Sequence, residues 1–333
     1  MYFFCDKNTR HIETNDKGFV ELYREEFFHI IANKQIETVY QPIVSLKSGD
    51  IFGYEGLTRG PKEGFFQSPI HLFEYAETNG QLFQLEKVTR ELAIERSTMW
   101  MDGNKKLFIN INSQVMQDPQ FTPGYTSQVL KRFNLSPSNI VFEITERSAI
   151  KDFMSFKQIL HHYRNQGFQI AVDDAGAGYS SLQAISELQP DYIKIDRSLI
   201  QNIHREPVKE ALVEAFVITA NKMNSKVVAE GIETAAELKK LIQLDIDYCQ
   251  GFFLAKPSYP VTGISAEAID CLKEKKAAFQ LNKAFSCDTS IGDMINYFKA
   301  TGTMNEHMIV HDNLVIGKVE RREENDEILI KVF

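Results

Sequence analysis

The sequence predicts an α/β fold, a closed (β/α)8 barrel of the TIM type whose first two strands form a hairpin, followed by a small α+β domain. Short apolar runs bounded by turn residues recur along the chain, as expected for buried strands. Helical stretches separate most of these runs, which is typical of a parallel sheet. Eight such runs over roughly 220 residues fit a closed barrel better than an open doubly wound sheet, although spacing alone leaves both possible.

The predicted elements follow one another in a regular order. An amphipathic helix at Phe19–Asn33 precedes the first strand. The predicted strands are Thr38–Val44, Ile51–Thr58, Leu107–Asn112, Ile140–Thr145, Phe168–Asp173, Tyr192–Asp196, Lys226–Glu230 and Tyr248–Leu254. The predicted helices between them include Ile70–Met101, Phe153–Asn165, Pro207–Met223 and Ala235–Leu244. Since Leu46–Asp50 is too short for a crossover connection, the first two strands should pair as a hairpin.

Beyond Pro257 and Pro260 the pattern changes. We therefore predict a barrel domain at residues 1–258 and an accessory α+β domain at residues 259–333. The accessory elements are predicted at Ile264–Leu281, Ala284–Cys287, Ile291–Lys299, Met308–His311, Leu314–Val319 and Glu327–Val332. Residues 290–321 are weakly similar to one half of a CBS-type regulatory repeat.

Composition restricts the class of protein. The chain has 333 residues, 43% hydrophobic and 25% charged, and a net charge of −8, which disfavours a broad basic surface for a nucleic acid polymer. Charged residues interrupt Met1–Asp16, and no uncharged apolar run reaches the ~18 residues of a membrane span. We expect a soluble, cytoplasmic protein. Its four cysteines form no CxxC pair, so reduced thiols are expected.

Polar residues break the apolar strands near their C-terminal ends. An ionised carboxylate in a dry interior costs several kcal/mol unless it is paired or coordinated. A carboxylate in a buried strand therefore indicates an ion pair or a bound cation. In a parallel barrel these ends converge on one face, where the carboxylates would repel one another without cations. An oxygen-rich set without His or Cys suits Mg²⁺ or Mn²⁺. These residues are Glu55, Asn110, Glu143, Asp173, Asp174, Lys194, Asp196, Glu230 and Gln250.

Two of these positions suggest chemistry directly. One carboxylate of the adjacent Asp173-Asp174 pair could bridge two metal ions while its neighbour binds the second, an arrangement that activates water at phosphorus. Lys194 could hold the attacking water or the phosphate charge, or it could form a plain ion pair with the acidic cluster. Asn110 alone could equally be a satisfied amide at the end of a strand.

Ordered motifs over about residues 20–258 resemble the EAL-domain phosphodiesterases of bacterial cyclic di-GMP signalling. Glycine replaces the alanine of the family's signature tripeptide. The motifs are Tyr40-Gln41-Pro42-Ile43, Glu55-Gly56-Leu57-Thr58-Arg59, Asn110, Glu143-Ile144-Thr145-Glu146, Asp173-Asp174-Ala175-Gly176-Ala177-Gly178-Tyr179-Ser180-Ser181, Lys194-Ile195-Asp196, Ala229-Glu230-Gly231-Ile232-Glu233 and Gln250-Gly251-Phe252.

The resemblance implies hydrolysis of cyclic di-GMP to linear pGpG with two ions of Mg²⁺ or Mn²⁺. It implies a first metal site of Glu55, Asn110, Glu143 and Asp173, and a second of Asp173, Asp174 and Glu230. Lys194 and Gln250 would position water. Gln41 and Arg59 would bind a phosphate or a base of the substrate. Asp196 would support substrate binding through the residues that contact the ligand. Glu146 would anchor the loop Ala175–Ser181, which in the family couples catalysis to contacts in a homodimer.

Departures from the family pattern leave the predicted metal ligands in place. Ala175 stands where Phe is usual, Ala177 where Thr is usual, and Phe252 where Tyr is common. These changes affect the loop and the dimer coupling more than the chemistry. A protein that binds cyclic di-GMP without hydrolysing it, and signals through the C-terminal domain, is the alternative function. A third possibility, another Mg²⁺-dependent barrel enzyme such as a lyase, would not show these ordered motifs.

Overall fold

The computed structural model describes residues 17–112, 124–145, 153–178, 181–273, 285–286, 307–311, 314–321 and 328–332. The chain divides into two compact units, residues 1–268 and 269–333. Residues 266–273 are helical and run across this division, so the domain boundary at residue 258 stays a prediction. Among the described residues, no helix combines the length and the apolar character needed to cross a membrane.

The first unit contains a closed barrel of eight strands that follow one another in chain order. The strands are β1 Glu37–Ser45, β2 Ile51–Arg59, β3 Lys106–Asn110, β4 Ile140–Thr145, β5 Gln169–Ala175, β6 Tyr192–Ile195, β7 Lys226–Ala229 and β8 Tyr248–Cys249. Strand β1 pairs antiparallel with both β2 and β8, and the remaining neighbours pair in parallel. The predicted barrel with its initial hairpin is therefore confirmed.

The hairpin turn explains the reversed direction of β1. Ser45 accepts hydrogen bonds from the backbone N–H of Gly49 through its carbonyl, at 2.8 Å, and from that of Ser48 through its hydroxyl, at 3.2 Å. Gly49 adopts a φ of 79°, a conformation that costs glycine little. The register that follows places Gln41 of β1 opposite Glu55 of β2.

Helices cover the barrel between the strands. Besides the helical residues 266–273, those of the described residues are α1 Lys17–Ala32, α2 Pro69–Thr78, α3 Leu82–Ser97, α4 Tyr125–Arg132, α5 Phe153–Asn165, α6 Ser181–Leu188, α7 Arg197–Ile200, α8 Pro207–Met223 and α9 Ala235–Gln243. The prediction of one continuous helix at Ile70–Met101 is wrong, because the chain turns at Asn79-Gly80, where Gly80 has a φ of 64°. The last strand is also shorter than predicted and ends at Cys249, so Gln250 follows it.

Two apolar clusters of the described residues stabilise the first unit. One fills the barrel interior, where the rings of Phe52 and Tyr248 stack with centroids 4.0 Å apart. Its buried members are Ile43, Phe108, Val141, Ala171, Tyr192 and Val228. The other joins α1, α2 and α3 through aromatic residues such as Phe27, Phe66 and Tyr75. These rings pack against one another with centroids 5.0 to 5.7 Å apart and belong to the hydrophobic core.

Beyond residue 273, the described part of the second unit is a sheet. Its strands are β9 Phe285–Ser286, β10 His307–His311, β11 Leu314–Arg321 and β12 Ile328–Val332, in the spatial order β12-β11-β10-β9. Strands β9 and β10 are parallel, and the other neighbours are antiparallel. The predicted helix Ile291–Lys299 lies outside the described residues, and the similarity to half of a CBS repeat stays a prediction.

Candidate active site

One rim of the barrel collects polar side chains from almost every strand. Register alone places Asn110, the last residue of β3, beside Glu143 of β4. The remaining contributions come from β1, β2, β5 and β6 and from the residues just after β7 and β8. They are Gln41, Glu55, Asp173, Asp174, Lys194, Glu230 and Gln250. The structure thus brings together residues that lie up to about two hundred positions apart in the chain, such as Gln41 and Gln250, which are 209 positions apart.

Lys194 lies at the centre of this cluster, and its side chain is 1% exposed. Its Nζ lies 2.6 Å from Glu143 Oε1, 2.6 Å from Glu230 Oε1, 3.2 Å from Asp173 Oδ1 and 3.6 Å from Glu55 Oε2. Burial alone would lower the pKa of Lys194, but the surrounding carboxylates, Asp173 foremost, raise this pKa well above its usual value. The ammonium group therefore stays charged.

A single ammonium does not neutralise the carboxylates around it. Burial, and then the charge of Glu55, raise the pKa of Glu143 well above its usual value despite Lys194. Burial also raises the pKa of Glu230, to about 8, again against the effect of Lys194. Burial acts in the same direction on Asp173, yet the charge of Lys194 outweighs it and lowers the pKa of Asp173. Burial thus opposes the charged forms of Glu143 and Glu230 in spite of the lysine, and additional cations would favour those charged forms.

Asn110 joins two of these carboxylates. Its Nδ2 donates to Glu55 Oε1 and to Glu143 Oε2, each at 3.1 Å. Asn110 thus contacts two predicted metal ligands, through hydrogen bonds that also satisfy its amide, and its role as a metal ligand stays a prediction.

Gln250 connects the cluster to β1. Its Nε2 donates to Glu55 Oε2 at 2.6 Å and to Gln41 Oε1 at 2.9 Å, while Gln41 Nε2 donates to the carbonyl of Ala255 at 2.9 Å. The Oε1 atom of Gln250 is buried and has no hydrogen-bond partner among the described residues. This oxygen is an acceptor available to a water molecule or a ligand.

A bulge in β5 explains how two adjacent aspartates reach the same site. Successive side chains of a regular strand point to opposite faces, but the pairing of β5 with β6 shifts register between Val172 and Ala175, and Asp174 has a φ of 59°. One carboxylate oxygen from each of Asp173, Asp174 and Glu230 lies within 4.8 Å of the others. This oxygen-only set fits a hard divalent cation such as Mg²⁺ or Mn²⁺.

A cavity of about 400 Å³ opens above the cluster. Its floor includes Glu55, Asp173, Lys194 and Glu230. Leu57, Pro69, Ile70, Phe252 and Pro257 supply apolar wall, and Arg59 and Arg197 also line the cavity. The two arginines suit an anionic ligand, and the apolar wall suits flat apolar parts of the same ligand.

The comparison with known families decides the assignment of this barrel. A model of the EAL domain matches residues 24–257. The chain belongs to the EAL domain family.

Characterised EAL proteins are similar to this chain over most of its length. The cyclic di-GMP phosphodiesterase PdeR of Escherichia coli is 31% identical over 250 residues, which are 74% of this chain and 37% of PdeR. The cyclic di-GMP phosphodiesterase RocR of Pseudomonas aeruginosa is 31% identical over 229 residues, which are 68% of this chain and 58% of RocR. The chain thus spans less than two thirds of either relative.

Solved EAL structures share the barrel. A standalone EAL protein of Vibrio cholerae, solved with cyclic di-GMP bound, matches with a TM-score of 0.61 and 29% identity, over 70% of this chain and 97% of that chain. A manganese and cyclic di-GMP complex of BlrP1 from Klebsiella pneumoniae matches with a TM-score of 0.62 and 29% identity, over 67% of this chain and 56% of that one. A calcium complex of BlrP1 with the same dinucleotide matches with a TM-score of 0.64 and 25% identity, over 77% of this chain and 70% of that one.

The remaining residues predicted for the EAL site have distinct positions. Asp196 is buried, lines the cavity and caps α7, because its Oδ1 accepts a hydrogen bond from the N–H of Ser198 at 2.9 Å. Arg59 ends β2 and donates from Nη1 to the carbonyl of Thr58 at 2.9 Å. Glu146 lies outside the described residues. The individual roles given to these residues stay predictions.

Sequence reasoning missed Arg197, which lines the cavity next to Asp196. A basic residue directly after the Lys194-Ile195-Asp196 motif was the available signal. It carried little weight because charged residues are common where a helix starts on the surface.

Proposed function

We propose that the protein is a metal-dependent phosphodiesterase that hydrolyses cyclic di-GMP to linear pGpG. The observation that carries this proposal is the set of Asp173, Asp174 and Glu230 oxygens within 4.8 Å of one another. Two of these residues, Asp173 and Glu230, line a cavity of about 400 Å³. The names of PdeR and RocR and the dinucleotide complexes of related structures support the choice of substrate.

Two divalent ions fit the donor set of this chain. Glu55, Asn110, Glu143 and Asp173 would hold the first ion, and Asp173, Asp174 and Glu230 would hold the second. Bound there, the ions would lower the pKa of water and offset the negative charge of the phosphodiester. Asn110 now turns its Nδ2 toward two carboxylates, and rotation of this amide would present its carbonyl oxygen instead, the atom type that Mg²⁺ and Mn²⁺ bind.

The other polar residues of the site would orient the reactants. Lys194 is charged and can donate to the attacking water or to a phosphate oxygen. The buried Oε1 of Gln250 can accept a hydrogen bond from the same water, because the Nε2 of that side chain is already fixed by Glu55 and Gln41. Arg59 would pair with a phosphate. Water adds to phosphorus, the bond from phosphorus to the 3′ oxygen breaks, and this oxygen takes up a proton.

We also propose that the active form is a homodimer in the cytoplasm. Large apolar side chains are exposed on α6 and α8, helices that follow the neighbouring strands β5 and β6: Leu182, Val208, Leu212 and Ile218 are 46 to 74% exposed. A second copy that covered them would remove this apolar surface from water. Among the described residues, the buried Cys249 and Cys271 form no disulfide, which is compatible with a reducing compartment.

The deciding experiment incubates purified protein with cyclic di-GMP and Mg²⁺ or Mn²⁺ and separates the products by chromatography. We expect pGpG from the wild type and none from Glu55→Ala. Glu63 is exposed and is not among the residues that line the cavity, so Glu63→Ala should retain wild-type turnover. Binding of intact dinucleotide without any product would instead identify a receptor that signals without hydrolysis.

A further inference from the structure

The proposed substrate carries two phosphates, whereas the cluster of carboxylates and metal ions would act on one of them. Among the described residues that line the cavity, the cationic ones are Arg59, Lys194 and Arg197. Lys194 is surrounded by four carboxylates, and Arg59 is already assigned to a phosphate or a base. The role of the third cationic residue at this cavity, Arg197, is therefore not yet assigned.

The backbone at Arg197 is fixed by its neighbours. Arg197 is the first residue of α7, and the preceding Asp196 is 1% exposed and caps this helix through Ser198. The side chain of Arg197 is 33% exposed, and its Nη2 lies 2.7 Å from Glu233 Oε1. Arg197 is thus held at the edge of the cavity by its ion pair, and its side chain is still reachable from solvent.

The aliphatic part of Arg197 lies across Gly231, the residue after Glu230. A Cβ atom at position 231 would lie 2.5 Å from the Cγ of Arg197, 2.6 Å from its Cβ and 2.8 Å from its Cδ. Gly231 also has a φ of 69°, which disfavours any side chain at this position. The glycine therefore permits Arg197 to cross the backbone directly beside a predicted metal ligand.

The backbone of Glu233, the ion-pair partner of Arg197, is also fixed by hydrogen bonds. The N–H of Glu233 donates to Glu237 Oε2 at 2.9 Å, and the N–H of Thr234 donates to the same oxygen at 3.0 Å. Glu237 is 2% exposed, and its other oxygen accepts from the N–H of Asn202 at 2.9 Å. One buried carboxylate thus fixes the loop that carries Glu233 and the segment that follows α7. Such preorganisation lowers the entropy lost when a ligand binds.

We propose that Arg197 is a substrate-binding residue that receives the second, uncleaved phosphate of a cyclic dinucleotide. This inference rests on the proposed function. A guanidinium has five N–H donors in a planar fork that matches a phosphate, so the ion pair with Glu233 is compatible with a second anionic partner. Arg197 would thereby favour cyclic dinucleotides over ligands that carry one phosphate.

The test is the affinity for cyclic di-GMP, measured by titration calorimetry in Ca²⁺ buffer, since a relative has been solved with calcium and this dinucleotide. Arg197→Met keeps the aliphatic stem over Gly231 and removes the charge, and we expect its Kd to rise about tenfold. Arg197→Lys keeps the charge but lacks the planar set of N–H donors, so its Kd should lie between those of the wild type and Arg197→Met. Arg205→Met removes the same charge from an exposed position outside the cavity lining, and its Kd should match that of the wild type.

In the Mg²⁺ assay, Arg197→Met should raise KM while kcat stays within about twofold of the wild type. A thermal melt like that of the wild type would show that the fold is intact. Equal Kd values for Arg197→Met and Arg205→Met would overturn the role of Arg197, whether or not the protein hydrolyses the dinucleotide. Binding without turnover by the wild type would overturn hydrolysis alone, and no binding by the wild type would overturn both proposals.

Discussion

The Nζ of Lys194 lies 2.6 Å from Glu143 Oε1, and both side chains are almost entirely shielded from solvent. Neither charge is stable at this depth without the other, because breaking a buried ion pair leaves an uncompensated charge. The stability of the metal-free protein and the chemistry of the site thus depend on the same lysine.

Lys194→Met should destabilise the metal-free protein by about 3 kcal/mol, because four carboxylates lose their shared cation. We expect Mg²⁺ to raise the melting temperature of this variant more than that of the wild type, and kcat to fall at least about a hundredfold. Lys226→Met removes an exposed partner of Asp247 and serves as the control, with a change in unfolding free energy within about 0.5 kcal/mol. A Lys194→Met variant as stable as this control, with no extra gain from Mg²⁺, would contradict the argument.

Asp173→Asn should fold normally and lose hydrolysis. The amide has nearly the shape of the carboxylate but lacks the charge needed to bridge two cations. Titration calorimetry with Mn²⁺ should show weaker binding than in the wild type, and Asp245→Asn, at an exposed position, should bind Mn²⁺ normally. Full turnover by Asp173→Asn would remove the bridging role.

Glu86 should make the stability of the protein depend on pH. This side chain of α3 is 3% exposed, and it accepts a hydrogen bond from the N–H of Asn112 at 2.7 Å and pairs with Arg90 at 3.1 Å. Burial raises its pKa from 4.5 to about 7, although Arg90 opposes the shift. Because the folded state then binds more protons than the unfolded state between these two values, the free energy of unfolding falls as pH rises from about 4.5 to about 7.

The total decrease from Glu86 amounts to roughly 3 kcal/mol at 1.36 kcal/mol per pKa unit. Glu86→Gln resembles the protonated form and should lack this dependence, so its stability relative to the wild type should increase over that pH range. Urea unfolding at pH 5 and at pH 8 measures the difference, with Glu63→Gln as the exposed control. A constant difference between wild type and Glu86→Gln at both pH values would show that Glu86 does not titrate in this range.

Gly231→Ala should be destabilising by about 2 kcal/mol, since alanine at a φ of 69° is strained and its Cβ would collide with Arg197. Gly103→Ala is the matched comparison, because a Cβ at position 103 meets no atom within 4 Å. Chemical denaturation of both variants gives the free energies of unfolding. If the two substitutions have the same effect, the close approach of Arg197 to Gly231 is incorrect.

The sequence predicted the barrel and the convergence of polar residues on one rim of it, because both depend on strongly patterned residues. Apolar strands interrupted by Glu143 or Lys194 near their ends are costly unless these side chains meet, and the structure brings them to 2.6 Å. The position of Asp174 was less predictable, since an alternating strand would point it away from Asp173 and the bulge of β5 depends on tertiary pairing. The break at Asn79-Gly80 did have a local signal, a turn dipeptide that the helical periodicity on both sides obscured.

Arg197 illustrates a different limit of sequence reasoning. Its identity alone suits an ordinary exposed position, and its significance comes from Gly231 and Glu233, which lie more than thirty residues away in the chain and whose approach follows from barrel closure. Contacts between residues so far apart in the chain produce no periodic pattern in the sequence.

The reversed direction of β1 has a practical use in experiments. The turn from Leu46 to Asp50 lies at the end of the barrel opposite Glu55 and Lys194, because β1 runs against its neighbours. A fluorophore or a short peptide tag grafted into this turn would report on the molecule while leaving the entrance for ligands unobstructed.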